Sequence, residues 1–141
     1  MFHHDTVITM LAATPSFGKL STSELKAISH KTDHRKIGIG DLLTRQGQFG
    51  SELIVVLKGT ASVDIGGTIV AELGAGEVIG EMALLDHGPR TATILATSPM
   101  EVAVLGIKAF EELTAHSPAL WRAIATGLAR RLREEDRSYH H

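Results

Sequence analysis

The chain has 141 residues, 43% of them hydrophobic, with a formal net charge of −2 and no cysteine, enough for one domain that buries about two-thirds of its unfolded surface. The missing cysteine excludes disulfide frameworks, thiolate nucleophiles and cysteine-bound zinc, and the charge excludes a strongly basic nucleic-acid surface over the whole chain. No apolar run reaches the roughly 18 residues of a membrane span, and Met1 to Ala13 lacks a basic start before a long apolar stretch, so a soluble cytoplasmic protein is expected.

The first third reads as helix. Val7, Ile8, Leu11 and Ala12 fall on one face, and Leu25, Ala27 and Ile28 begin a second. Ser21 and Glu24 make the serine-x-x-glutamate capping box of that second helix, with Leu20 and Leu25 placed to staple it from outside. Between the helices, Pro15 to Gly18 is a breaker anchored by Phe17.

From about Lys36 to Gly106, short apolar segments alternate with glycines, the pattern of an antiparallel β-fold with room for roughly six to eight strands. Leu53 to Leu57 reads as a buried strand closed by Gly59. Ala61, Val63 and Ile65 alternate with polar residues, and Gly66-Gly67 makes a tight hairpin into Thr68 to Leu73. Further strands are expected at Arg90 to Ala96 and Glu101 to Leu105. Helix returns around Lys108 to Ala115, then again from Pro118 with Ser117 as N-cap, where Leu120, Ile124, Leu128 and Leu132 form one stripe. The expected fold is mainly β with flanking helices: an antiparallel β-roll of jelly-roll type with roughly eight strands, N-terminal helices, a short helix interrupting the roll, and a C-terminal lid helix. One domain over residues 1–138 is expected, with Tyr139, His140 and His141 as a tag remnant.

Gly76 to Thr93 carries the chemistry. Gly80 lets the backbone turn sharply, and the next residues suit one or two helical turns whose free N–H groups point back at the glycine and favour an anion. Ala83 is small enough for a ligand to approach the backbone, and Leu84 and Leu85 pin the short helix to the core. Gly88 and Pro89 turn the chain and deliver Arg90, whose guanidinium can hold a phosphate by two parallel hydrogen bonds. Beside a phosphate, Glu81 needs donors of its own, and a ribose hydroxyl is a natural one. Singly, each element has a plainer explanation: a turn followed by an acid favoured by the helix dipole, or an arginine paired with Glu81. Their combination points to a sugar phosphate.

This stretch resembles the phosphate-binding cassette of the cyclic-nucleotide-binding domain family, which reads Phe-Gly-Glu, a small helix with Ala-Leu-Leu, then Pro-Arg-Ser/Thr/Ala-Ala-Thr/Ser. Gly80, Glu81, Ala83, Leu84, Leu85, Pro89, Arg90, Thr91, Ala92 and Thr93 stand in register with it, and Ile79 replaces the leading aromatic. A second family pattern runs from Gly40 through Gly47, Gln48 and Gly50 to Leu53-Ile54-Val55-Val56 and Gly59, so the resemblance covers nearly the whole chain. It implies that Glu81 binds the ribose 2′-hydroxyl and Arg90 the cyclic phosphate. Gly80, Met82, Ala83, Pro89, Thr91 and Ala92 then line that site. It implies a base lying between the roll, with Val63, Ala71 and Leu73 inward by alternation, and the C-terminal helix, where Arg131 follows Pro118 by about three turns and is placed to cap the base. A solvated Arg131 paired with Glu134 or Glu135 is the alternative there.

The function expected is therefore a non-enzymatic sensor of cyclic AMP or cyclic GMP, with no cofactor and with output through the lid to an effector domain or partner protein outside this chain. Thr91 leaves cyclic GMP open, because its hydroxyl can reach the amino group of a syn guanine, and cyclic AMP is favoured. A ligand-free interaction module of the same fold is the alternative, disfavoured by the presence of both Glu81 and Arg90. A small β-roll metalloenzyme is disfavoured because no His-x-His pair occurs in the β-region and His30 and His34 have only Asp33 nearby. Direct nucleic-acid binding is not expected, since Glu134, Glu135 and Asp136 interleave with Arg130, Arg131, Arg133 and Arg137. The sequence leaves the oligomeric state open.

Overall fold

Capping and periodicity place the first two helices where the chain forms them. The computed structural model describes residues 2–14, 17–80, 88–122, 125, 126, 129 and 133. In it, helix α1 spans Phe2–Ala12 and α2 spans Thr22–His30. Ser21 caps α2 with both arms of the capping box: its hydroxyl accepts from the Glu24 amide at 3.1 Å, and the Glu24 carboxylate accepts from the Ser21 amide at 3.0 Å. Val7 and Leu11 are fully buried, as are Leu25 and Ile28, whereas Ala12 and Ala27, placed on the same faces by periodicity, are exposed. Both lie at the edge of a narrow stripe, and α2 buries Ser29 instead. Phe17, 1% exposed, anchors the turn between the helices.

Eight strands follow among the described residues: β1 Asp33–Ile37, β2 Leu42–Thr44, β3 Glu52–Lys58, β4 Ala61–Ile65, β5 Thr68–Leu73, β6 Val78–Ile79, β7 Thr93–Ala96 and β8 Met100–Gly106. They pair antiparallel in two four-stranded sheets, ordered β1-β8-β3-β6 and β2-β7-β4-β5. Helix α3, Ile107–Ala115, leaves β8 directly, and residues 118–122 open the C-terminal helix. No helix of the described residues is long and apolar enough to cross a membrane.

The continuous apolar runs in β3 and β8 follow from burial on both faces. Leu53, Val55 and Leu57, with Ala103 and Leu105, pack under the helices against Val7, Leu11, Phe17, Leu25, Ile28, Phe110 and Leu120. The alternate residues Ile54 and Val56, with Met100, Val102 and Val104, pack between the sheets against Ala61, Ile79, Ile94 and Ala96. Gly66 and Gly67 close the β4–β5 hairpin with φ of 62° and 90°, as a two-residue turn of that hand requires. A register shift between Val63 and Asp64 pairs them with Ala71 and Ile69, so Val70 is the extra residue of a bulge.

The strand expected over Arg90 to Ala96 begins only at Thr93. Arg90 bonds instead to the loop after β2, and Ala92 to the Thr44 hydroxyl of β2. Ile65, expected on the apolar face of β4, is 45% exposed at the hairpin end, beyond the cover of the other sheet. The short cassette helix, Ile124, Leu128 and Leu132 of the lid stripe, and residues 139–141 lie outside the described residues.

Ser117 joins the two helical ends of the chain. Its hydroxyl accepts from the Leu120 amide at 3.3 Å, as an N-cap does, and donates to the Glu24 carboxylate at 2.9 Å. These donors, the Ser21 backbone N–H foremost, hold the Glu24 carboxyl below the usual carboxylate range. A carboxyl depressed by folding contributes stability that is complete above the unfolded value and is lost as pH falls through the folded one. The thermal midpoint should therefore drop on acidification below about pH 4.5, and Glu24→Gln should drop less over the same interval. Superimposable melting-midpoint curves against pH for the two proteins would show that Glu24 makes no such contribution.

Candidate functional site

The segment before β7 is tied to β2 and to the loop between β2 and β3. The Arg90 amide donates to the Gln48 carbonyl and the Gly47 amide to the Arg90 carbonyl, both at 2.9 Å. Pro89 bridges Phe49, the Thr44 hydroxyl donates to the Ala92 carbonyl at 2.9 Å, and the Gln46 amide donates to the Thr93 hydroxyl at 2.9 Å. Ala92 is 7% exposed and pins the segment to the core. Arg90 thus projects from a backbone that β2 and the loop after it hold in place.

Its guanidinium lies between two glycines. A Cβ on Gly50 would overlap Arg90 Nε and sit 2.6 Å from Nη2, and one on Gly80 would overlap Nη1 and sit 2.6 Å from the Glu52 carbonyl oxygen. Gly80 also has a φ of 90°, a conformation side chains rarely adopt. Strand β6 pairs with Ile54 and Val55 and ends before Gly80, and the Glu52 carbonyl beyond it accepts from Arg90 Nη2 at 2.9 Å. Nη1 is buried and has no hydrogen-bond partner among the described residues. Burial pushes the guanidinium's pKa down, countered by the charge of Glu52, and the group stays protonated at neutral pH. A buried, charged and unsatisfied N–H is costly to leave unpaired, and an oxyanion is the partner that matches its charge and planar geometry.

From Arg90 a row of side chains runs across the second sheet. Ile94 of β7 pairs with Val63 of β4, which pairs with Ala71 of β5. Burial falls along it: Ile94 is buried, Val63 half-buried and Ala71 exposed. Leu73, opposite Ala61, is half-buried in the next row and packs on the core between the sheets. Alternation alone would have put Ile69 beside Ala71, but the bulge at Val70 places Ile69 opposite Asp64. Ala71 thus shares Val63's face but, at the sheet edge, remains open to solvent. Where the inward face of this sheet runs out past the other sheet, Val63 and Ala71 offer a flat ring a small apolar surface on which to lie.

The structure therefore brings Gly80 to the Arg90 guanidinium, while Pro89 and Thr91, its neighbours in the chain, are exposed and Ala92 is buried. Glu81, Met82, Ala83 and Arg131 lie outside the described residues. Two contributors escaped sequence reasoning: the Glu52 carbonyl, which no side-chain identity announces, and Gly50 as the floor under the guanidinium. Gly50 stood in the second family pattern, just before the apolar run of β3, with no role assigned to it. Of the two histidines weighed as metal ligands, His34 places Nε2 2.9 Å from Glu101 Oε1 and His30 is exposed at the end of α2.

Comparison with known proteins places this arrangement. The family model described as the cyclic nucleotide-binding domain matches residues 34–117. A cyclic AMP receptor protein of Thermus thermophilus is 32% identical over 131 residues, covering 89% of this chain and 61% of that protein. A cyclic nucleotide-gated potassium channel of Rhizobium etli is 33% identical over 123 residues, covering 86% of this chain and 34% of the channel. The chain thus spans about a third of the channel's length and less than two-thirds of the receptor's. Among solved structures, a cyclic nucleotide-binding domain from Methylobacillus flagellatus superposes with a TM-score of 0.82 at 26% identity, over 97% of this chain and 80% of that one. The regulatory domain of Toxoplasma gondii PKA with cAMP gives 0.74 at 27% identity, over 79% and 44%. With its two-sheet roll, its flanking helices and a family match over more than half its length, the chain belongs to the cyclic nucleotide-binding domain family.

Proposed function

We propose that this chain is a regulatory sensor module that holds a cyclic nucleotide with its phosphate on Arg90. The observation that carries this reading is the buried Nη1 of Arg90, charged and without a partner among the described residues, set against Gly80, where only a glycine fits. In this reading Gly80, Met82, Ala83, Pro89, Thr91 and Ala92 surround the phosphate and Glu81 accepts from the ribose 2′-hydroxyl. The base lies over Val63, Ala71 and Leu73, capped by Arg131. Cyclic AMP is the favoured ligand: the Thermus relative is a cyclic AMP receptor protein and the Toxoplasma structure contains cAMP. Cyclic GMP stays compatible through Thr91.

The module binds and does not catalyse, so nucleotide recovered from the protein should be chemically unchanged. Its output is the helix that starts at Pro118, which the Ser117–Glu24 bond and the Phe110–Trp121 ring contact seat at its base. A ligand that touches this helix in only one of its positions shifts the equilibrium between them, and one that binds both equally shifts nothing. The effector is a further domain or partner protein that reads the helix. Residues 1–138 act as one unit, with 139–141 as a dispensable tail.

The test is to strip any co-purified nucleotide by unfolding and refolding, then to titrate cyclic AMP and cyclic GMP separately by calorimetry. Saturable binding at micromolar concentration or below is expected, stronger for cyclic AMP. No heat with either, from protein that circular dichroism shows to be folded, would make the chain an interaction module that has lost its ligand.

A further inference from the structure

Arg35 and Glu52 face the space between the sheets from either side of β8. Glu52 alternates with Ile54 and Val56, and Arg35 pairs with Val102, all on the face that builds the core between the sheets. Across β8, Arg35 Nη2 lies 3.3 Å from Glu52 Oε2. The residue whose carboxylate Arg35 holds is the same residue whose carbonyl accepts from Arg90 Nη2 at 2.9 Å. The carboxylate therefore hangs from the residue whose backbone already contacts the guanidinium. Among the described residues it is an acid within reach of Arg90, and an acid on the open edge of the guanidinium would exclude any other anion.

We propose that Arg35 is a positioning residue for the anion site: by pairing with Glu52 it holds that carboxylate off Arg90 and keeps the guanidinium open for the ligand's phosphate. Released from Arg35, Glu52 becomes an internal competitor for the site. This rests on the assignment of the phosphate to Arg90. Both side chains of the Arg35–Glu52 pair are more than a third exposed, so breaking it should cost the fold little. Its effect belongs to binding.

The experiment is a double-mutant cycle read by cyclic AMP titration, with melting midpoints recorded for each protein. Arg35→Gln should weaken binding about five- to tenfold, and Glu52→Gln, which keeps the backbone carbonyl, should tighten it about two- to fivefold. In the Glu52→Gln background, Arg35→Gln should change affinity less than about twofold, and all these differences should shrink near 1 M salt. A crystal structure of ligand-free Arg35→Gln should show the Glu52 carboxylate on Arg90, a result that needs no nucleotide. Equal effects of Arg35→Gln in both backgrounds, or weaker binding by Glu52→Gln, would overturn the proposal. Arg90→Ala separates the two failures: if it loses binding while the cycle is additive, only the role of Arg35 falls, whereas if it binds like the parent, the phosphate assignment falls with it.

Discussion

Arg90→Ala should weaken cyclic nucleotide binding by about 2–4 kcal/mol, roughly 30- to 1,000-fold in Kd, while leaving the unliganded protein folded. The loss is large because the guanidinium is half-buried and preset, so a phosphate gains a charge-assisted contact without the cost of ordering a free side chain. Stability should change little because two effects oppose. The substitution removes a buried N–H that has no partner among the described residues, but it strips the Glu52 carbonyl of its donor. Gly50→Ala tests position apart from charge. Gly50 has no left-handed backbone requirement, yet a Cβ there would overlap Arg90 Nε and force the guanidinium aside. A folded Gly50→Ala protein with about tenfold weaker binding is expected. Calorimetric titration of both variants, with melting curves alongside, is the check, and unchanged affinity in Arg90→Ala would remove the phosphate from this site.

Phe110→Ala should destabilise the fold by about 3–5 kcal/mol, a large part of the roughly 5–15 kcal/mol that holds a domain of this kind together. Phe110 is 1% exposed and is among the largest fully buried side chains of the core beneath the helices. Its ring also meets Trp121 edge-on, centroids 5.3 Å apart and planes at 79°, so the same residue supports the base of the C-terminal helix. Urea unfolding followed by circular dichroism should give the loss. Trp121 is the chain's single tryptophan, so its emission should shift to the red in native buffer as the ring contact disappears. A cost below about 1 kcal/mol would mean that the ring is not packed as described.

Phe110 and Arg90 are coupled through the lid. If the helix at Pro118 carries the output, loosening its base should blunt the response to nucleotide even where Arg90 still holds the phosphate. Binding without a change in helix position would then separate the anchor from the signal.

Much of the architecture could be read from local pattern alone. The Ser21–Glu24 box, the Gly66-Gly67 hairpin with Thr68–Leu73 after it, the buried run around Leu53–Leu57 and the Ser117 cap are signals within a few residues, where sterics and hydrogen-bond reach decide. The pairing of Gly80 with Arg90 was legible as a motif. What the motif could not contain was the guanidinium's seat. Gly50 and the Glu52 carbonyl come from another strand's start, 38 residues away for the Glu52 bond, and a backbone carbonyl leaves no trace in residue identity.

The same limit explains the remaining differences. Arg90 to Ala92 has strand-like composition, but Arg90 bonds to Gly47 and Gln48 and Ala92 to the Thr44 hydroxyl, so β7 starts at Thr93. Ala71 sits on the predicted face, yet its position at the sheet edge leaves it exposed, and exposure depends on what covers a face, not on period. The elements, the turn chemistry and the residue types that can hold a phosphate were all legible in the chain, because each is a short-range property. Only the tertiary structure decided which face of β3 meets which core, which acid Arg35 holds, and how Glu24 reaches Ser117 across 93 residues, because those contacts form only when the two sheets and the helices close together.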